Sequence, residues 1–344
     1  MGKSDLSILV VGAGSVGGIT AALLKKAGHN VEVAVRTDEY AAYIRDKGIE
    51  VNGVCGNHII RIPSFSSVHE IREKKDIILL TTKASEMIST AKDYEHLLNG
   101  HGCFVSLQNG MCEDELVSVM GQARVIGCVT GWGATMESHG KLIMTSNGDF
   151  VIGYPGRKPD HLLHLVADTL SAVVPVKVTE NISGHKYSKL IINSCITSPG
   201  AICGLYLGKM LSSRKMRRIF IEIIREAVAV SEKMHIKVGI FAGKIDFPEF
   251  VRKNDIISDF RRHLIIRAIG FKYRRLKSSS LQSLERGQQT EVDYLNGYIV
   301  KQAALFGVDV PVNEEIVRLI HEIEAGKRQI SPTVFDEPLF SRFN

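Results

Sequence analysis

The sequence is short of the features that mark several classes of protein. Its six cysteines, Cys55, Cys103, Cys112, Cys128, Cys195 and Cys203, form no CxxC pair and have no histidines at zinc-site spacing. This argues against a structural metal site and, at this length, against a disulfide framework. A reducing, cytoplasmic compartment is expected. Nine prolines among 344 residues leave no room for an extended proline-rich region. Long apolar runs are missing too. Ile8–Val11 and Ile77–Leu80 are far below the roughly 20 residues that span a bilayer, so no membrane partner is expected. The glycines that follow Ile8–Val11 directly argue against a secretory leader, and Leu6 argues against myristoylation. Charge is mixed, with 43 basic and 37 acidic residues. The exception is Arg261 to Lys277, which carries seven Lys/Arg and no acid. That stretch reads as a solvated helix face or as a positive wall near an anion. With only Phe271 and Tyr273 interleaved, it makes a poor stacking platform, so no nucleic-acid partner is expected.

What is present is an alternation of short β-branched runs with helical stretches. Strands are predicted at Ile8–Val11, Val31–Val35, Ile77–Thr81, Cys103–Leu107 and Val125–Val129, with a helix at Val16–Ala27. This rhythm implies a parallel sheet with right-handed crossovers. Leu142–Thr145, Phe150–Gly153 and Val176–Thr179 are expected to extend the same sheet, with a helix at Asp160–Ala172. After Asn181 helical patterns dominate, at His185–Ile196, Lys215–Met234, Phe260–Ile269 and Glu291–Phe306. The expected fold is α/β. A Rossmann-type doubly wound domain at 1–181 precedes an all-helical domain at 182–344.

Chemistry enters at Gly12-Ala13-Gly14-Ser15-Val16-Gly17, a GxGxxG between a strand and a helix. Gly12 allows the tight turn, Gly14 leaves the backbone open to a pyrophosphate, and Gly17 lets the helix pack on the strand. Helix N–H groups then face the phosphates. NAD sites place an acid at the tip of the second strand. Here Glu32 falls inside the strand and Arg36 stands at the tip, where its fork of donors suits a 2′-phosphate. NADP is favoured over NAD.

Five ordered motifs carry a resemblance over nearly the whole chain. They are Gly12–Gly17, Thr82-Lys83-Ala84, Gln108-Asn109-Gly110, Lys189-Leu190-Ile191-Ile192-Asn193, and Ser278-Ser279-Ser280-Leu281-Gln282 followed by Thr290 to Gly297. Together they resemble the ketopantoate reductase (2-dehydropantoate 2-reductase) family. The resemblance implies reduction of a 2-oxo acid by hydride from NADPH, within pantothenate and coenzyme A synthesis. It implies Lys189 as general acid and Glu291 as the acid that helps position it or the substrate hydroxyl. Asn193, Thr197, Ser280 and Asn109 are implied on the substrate side. Gly12, Ala13, Gly14, Ser15, Val16, Gly17, Arg36, Lys83 and Asn109 are implied on the cofactor side. Lys189 and Asn193 lie four apart and so share a helix face. Outside the resemblance these residues have plainer readings: Asn109 as turn chemistry, Ser280 as a helix cap, and Glu291 as a helix N-terminal acid.

The sequence also departs from the family pattern. Thr197 and Ser198 stand where Asn-Pro is usual, Ser283 where an acid is common, and Glu86 where glutamine is common. There is extra sequence around Lys237–Asp259. These departures keep open a same-family reductase for a different 2-oxo acid. An opine-type dehydrogenase is a further alternative. A non-catalytic NADPH-binding regulator fits less well, because it would need neither Lys189 nor Glu291. A small-molecule 2-oxo acid is the expected partner. A homodimer is compatible with the sequence, which does not specify oligomeric state.

Overall fold

A computed structural model describes residues 6–343. The chain divides into two compact units, one ending at Ile182 and the other starting at Ser183.

The first unit contains strands β1 (Ser7–Val11), β2 (Asn30–Ala34), β3 (Ile49–Gly53), β4 (His58–Ile60), β5 (Ser64–Phe65), β6 (Lys75–Leu80), β7 (Leu98–Ser106), β8 (Val125–Thr130), β9 (Gly133–Ser138), β10 (Lys141–Ser146), β11 (Phe150–Gly153) and β12 (Val176–Val178). Its α-helices are α1 (Ser15–Lys26), α2 (Asp38–Asp46), α3 (Met87–Tyr94), α4 (Glu113–Met120) and α5 (His161–Leu170). The main sheet runs β12-β11-β8-β7-β6-β1-β2-β5. Its six strands from β5 to β8 are parallel, and β11 joins β8 antiparallel. Helices cover such strands on both faces, so apolar residues run without alternation. Four successive residues of β1, Ile8 to Val11, are buried in this way.

Strand order reverses between β1 and β6, which is where doubly wound sheets bind ligands at their carboxyl edge. The expectation that all later strands extend this sheet holds for β11 and β12 but not for Leu142–Thr145. That segment lies in β10, which belongs to a separate four-stranded sheet of order β4-β3-β10-β9. Helix α1 packs on β1 and β2 on one side and on β3, β9 and β10 on the other. The second sheet therefore fixes the helix that follows the glycine loop.

The second unit is helical: α6 (Ile182–Cys203), α7 (Leu207–Ser212), α8 (Arg214–Lys233), α9 (Phe247–Arg252), α10 (Ile256–Lys272), α11 (Ser279–Glu285), α12 (Asn296–Phe306), α13 (Pro311–Glu324) and α14 (Pro338–Ser341). The long α8 packs against α7, α9, α10, α12 and α13. The helix predicted from Glu291 starts later than expected. Val292–Tyr294 is a separate 3-10 turn, and Leu295, at φ −112° and ψ −99°, breaks it from α12. Among the described residues, no helix is long and apolar enough to cross a membrane.

Candidate active site

In the first unit, four loops meet the carboxyl edge of the sheet at the strand-order reversal. Gly12 follows β1 at φ +99°, a conformation that side chains other than glycine rarely adopt. A Cβ on Gly17 would lie 2.1 Å from the Gly12 carbonyl oxygen and 2.2 Å from Thr81 Oγ1. A Cβ on Gly14 would meet nothing within 4 Å. Gly14 is also the N-cap of α1, with no side-chain cap and no acid in the first turn. The first N–H groups of α1 are thus left by its own side chains for an anion, and the backbone beside them is open. An uncapped helix N-terminus beside open backbone fits a dinucleotide's pyrophosphate.

Two residues without a motif of their own hold this loop. Thr81 Oγ1 lies 2.8 Å from the Val11 carbonyl oxygen and 2.6 Å from that of Gly12, clasping the end of β6 to the turn after β1. Tyr40 donates to the Ala13 carbonyl at 2.9 Å and accepts from Gly140 N at 3.2 Å. Burial raises its phenol pKa.

Arg36 follows β2, is 77% exposed and pairs with Glu86 at 2.5 Å. Glu32 sits within β2 opposite Leu9 and is bound to the fully buried Lys75 at 2.7 Å. That ion pair fixes Glu32 inside the sheet and leaves Arg36 as the charged residue at the strand tip. Lys83 is exposed and is the N-cap of a 3-10 turn, Ala84–Glu86, that follows β6. Asn109 is half-buried after β7, and its carbonyl accepts from Cys112 Sγ at 3.6 Å. Beneath it, Ser106 Oγ lies 2.8 Å from Gln108 Oε1 and 2.7 Å from Glu113 Oε1, and Gln108 Nε2 donates to the Thr82 carbonyl. This buried network joins the Lys83 and Asn109 loops. Its Glu113 end carried no signal, because nothing local marks an acid on α4 as buried.

In the second unit, α6 is buried along most of its length. From Lys186 to Gly200 only Lys189, Asn193 and Ile196 are half-exposed. Spaced i, i+4, i+7, they form one stripe on one face. Thr197 is 8% exposed and donates its hydroxyl to the Asn193 carbonyl at 2.7 Å, leaving its lone pairs as acceptors. Ser198 is fully buried and faces elsewhere. It donates to Asn296 Oδ1 at 2.7 Å, and Asn296 Nδ2 donates to Asn313 Oδ1 at 2.9 Å. Asn313 in turn donates, from Nδ2 and from its backbone N, to Glu226 on α8, at 2.6 and 2.9 Å. Burial pushes the Glu226 carboxyl up to about 7, against the hydrogen bonds from Val312 and Asn313 that lower it. Ser280 is buried in the first turn of α11, but the cap of that helix is Ser278, whose Oγ accepts from Leu281 N at 3.2 Å. Glu291 is half-buried and is the N-cap of the 3-10 turn before α12. The basic stretch from Arg261 is partly structural, since Arg262 is 3% exposed and donates to the Lys253 carbonyl at 2.7 Å.

A doubly wound sheet with an open glycine loop on an uncapped helix is the arrangement of a dinucleotide-binding domain, here followed by a helical unit. Comparison with known proteins narrows the class. The model of the ketopantoate reductase PanE/ApbA family matches residues 8–157, and its C-terminal counterpart matches residues 181–324. The chain belongs to the ketopantoate reductase family, whose members are pyridine-nucleotide-dependent oxidoreductases. It is 28% identical to a 2-dehydropantoate 2-reductase of Pyrococcus abyssi over 322 residues, covering 93% of this chain and 98% of the relative. It is 27% identical to one of Archaeoglobus fulgidus, covering 93% and 98%. A crystal structure of a PanE/ApbA family ketopantoate reductase from Ralstonia eutropha superposes with a TM-score of 0.79 at 25% identity, covering 94% of this chain and all of that one. A D-mandelate dehydrogenase solved with NADH and anilino(oxo)acetate reaches 0.81 at 20% identity, covering 94% and 99%; that likeness concerns the fold alone.

Proposed function

We propose that the chain reduces a 2-oxo acid to its 2-hydroxy acid with NADPH, and that 2-dehydropantoate, named in its relatives, is a substrate. Residues 1–181 would bind the nucleotide and 182–344 the acid. The observation that carries this reading is the stripe on α6, where Lys189 and Asn193 are the polar side chains left accessible on an otherwise buried run. A lone lysine is ordinarily a solvated surface group; this one shares its face with an amide, one turn away along a helix held by buried contacts.

When bound, the nicotinamide supplies a hydride to the carbonyl carbon. The residues then have separate tasks. Lys189 holds a proton toward the carbonyl oxygen and releases it as negative charge builds there, so the new hydroxyl forms neutral beside the retained carboxylate and the lysine recovers its proton from water. Asn193 orients the acid, and Thr197 and Ser280 offer it further polar contacts. Glu291 positions the lysine or the substrate hydroxyl. In the first unit Gly12, Ala13, Gly14, Ser15, Val16 and Gly17 cradle the pyrophosphate. Asn109 and Lys83 reach the nucleotide from the next two loops, and Arg36 reads the 2′-phosphate. Glu86 competes for Arg36, because a carboxylate paired with the guanidinium must turn aside for the phosphate.

Oxidation of NADPH and of NADH by the purified protein with 2-dehydropantoate tests the reading. Turnover with NADPH is expected. Arg36→Ala should weaken NADPH about tenfold, the worth of one charge-assisted contact, and leave NADH unchanged. Glu86→Gln should move NADPH affinity the other way. Equal affinities for both nucleotides in the parent and in Arg36→Ala would remove the 2′-phosphate from the reading, and absence of turnover with either would remove the reaction.

A further inference from the structure

The stripe on α6 does not end at Asn193. It continues to Ile196, and Asn193 and Ile196 are also wall residues of a cavity of about 770 Å³ in the second unit. Its other walls come from the segment around Phe241 to Lys253, within the extra sequence around Lys237–Asp259, from Leu207 of α7, and from α10 with Tyr273 and Leu276 after it. The cavity is built rather than incidental. Phe241 and Ile245 exchange a backbone pair at 2.8 and 3.1 Å, which folds the segment on itself. The Phe241 ring packs 6.0 Å from that of Phe247. Asp246 caps α9, and buried Arg262 ties the residue after α9 back to α10. The lining is mainly apolar, with Ile196, Phe241, Ile245, Ala268 and Ile269 on its walls, while Lys244 and Lys272 stand among its charged wall residues.

Size and polarity both bear on the substrate. The volume falls in the range of roughly 300–1,000 Å³ that suits drug-sized ligands. The branched hydroxyalkyl group of 2-dehydropantoate would fill little of it and would leave apolar wall in contact with water. Lys189 lies only about 6 Å along the helix axis from Asn193, so a carbonyl at Lys189 has the cavity that Asn193 and Ile196 line within reach of its substituent.

We infer that this cavity receives the substituent of the substrate, and that the preferred substrate class is a 2-oxo acid bearing a long or bulky apolar group. The inference rests on the reductase reading above and adds the substrate class to it. The reaction balances as before: hydride to the carbonyl carbon, and a proton from Lys189 to the carbonyl oxygen.

The test uses the full chain with NADPH and four acids: pyruvate, 2-dehydropantoate, phenylpyruvate and 2-oxooctanoate. The two apolar acids are expected to exceed pyruvate and 2-dehydropantoate in kcat/KM, by about tenfold or more. Ala268→Phe places a ring in the cavity from a solvent-accessible position on α10, so the fold is retained. It should lower the ratio of kcat/KM for 2-oxooctanoate over pyruvate by about tenfold. Thermal stabilisation by each acid is read in parallel. 2-Oxooctanoate should raise the Tm of the parent protein and lose that effect in Ala268→Phe. A best kcat/KM for 2-dehydropantoate, or a ratio unmoved by Ala268→Phe, overturns the inference and spares the reductase reading. A Tm shift by 2-oxooctanoate that disappears in Ala268→Phe, with no acid reduced, supports the cavity's role and overturns the reductase reading. No Tm shift by 2-oxooctanoate in the parent overturns the inference whatever the turnover.

Discussion

In the glycine loop the binding groups belong to the backbone, and side chains are kept out of the way. On α6 the backbone is consumed by helical hydrogen bonds, and the candidate groups are side chains at one spacing. The two regions therefore tolerate change differently. The loop has one permitted conformation, set by Gly12 at φ +99° and by the close approach of Gly17 to Thr81. The stripe needs only a helix held at a fixed rotation, which many apolar partners could supply. A strict local constraint leaves a motif in the sequence; a constraint spread over distant contacts does not.

The sharpest way to separate the two regions is Lys189→Ala. It should lower kcat by about 10³-fold, within the usual worth of a positioned proton donor, while nucleotide affinity stays at the parent value. Isothermal titration with NADPH beside steady-state rates checks both halves. A parallel fall in affinity would mean that the stripe serves the nucleotide instead.

Glu226, at the end of the hydrogen-bonded chain from Ser198, helps hold the stripe in place. The folded-state pKa of Glu226 is raised from 4.5 to about 7 by burial. The folded protein thus binds more protons than the unfolded chain between those values. Its contribution to stability is complete below about pH 4.5, is lost as pH rises toward 7, and is flat above. The loss amounts to roughly 3 kcal/mol. Denaturation of the parent and of Glu226→Gln across that window should show this slope in the parent alone. A parent curve that instead gains stability through the window from this group would mean that the hydrogen bonds from Val312 and Asn313 outweigh burial.

The smallest effects discriminate within the loop itself. Gly17→Ala forces a methyl onto the Gly12 carbonyl and should cost about 1–3 kcal/mol of stability. Gly14→Ala enters open space and should lower the Tm less than Gly17→Ala, by no more than a weakened helix N-cap, yet weaken the dinucleotide by blocking its approach. Thermal melts with and without NADPH distinguish these outcomes. Equal melting losses in both variants would remove the contrast between packing and approach.

The main sheet and α1 were legible because apolar runs, a glycine turn and a following helix are all local signals. The sheet of β3, β4, β9 and β10 was not. β3 and β9 carry Glu50, Asn52, Thr135 and Glu137, and β4 is three residues long, so no clean apolar run marked them. The position of Glu32 within β2 was visible, but not Lys75, 43 residues away, which binds it. Ser198 looked like a departure near the substrate, and its partner Asn296 stands 98 residues later. Ser278, rather than Ser280, caps α11 because the helix starts at Ser279; one residue of phase separates a cap from a buried first-turn serine.

The chain from Ser198 through Asn296 and Asn313 to Glu226 has a consequence in time. Its links join positions 98, 17 and 87 residues apart. As the polypeptide is synthesised, every strand of the first unit and the whole of α6 are complete before Asn296 or Asn313 has been added. The nucleotide half can close on itself while α6 still lacks the partners that set its rotation, and such widely separated pairings form late. The lysine on α6 gains its final setting only when the last third of the molecule arrives, so the glycine loop of a nascent chain is in place before the stripe is.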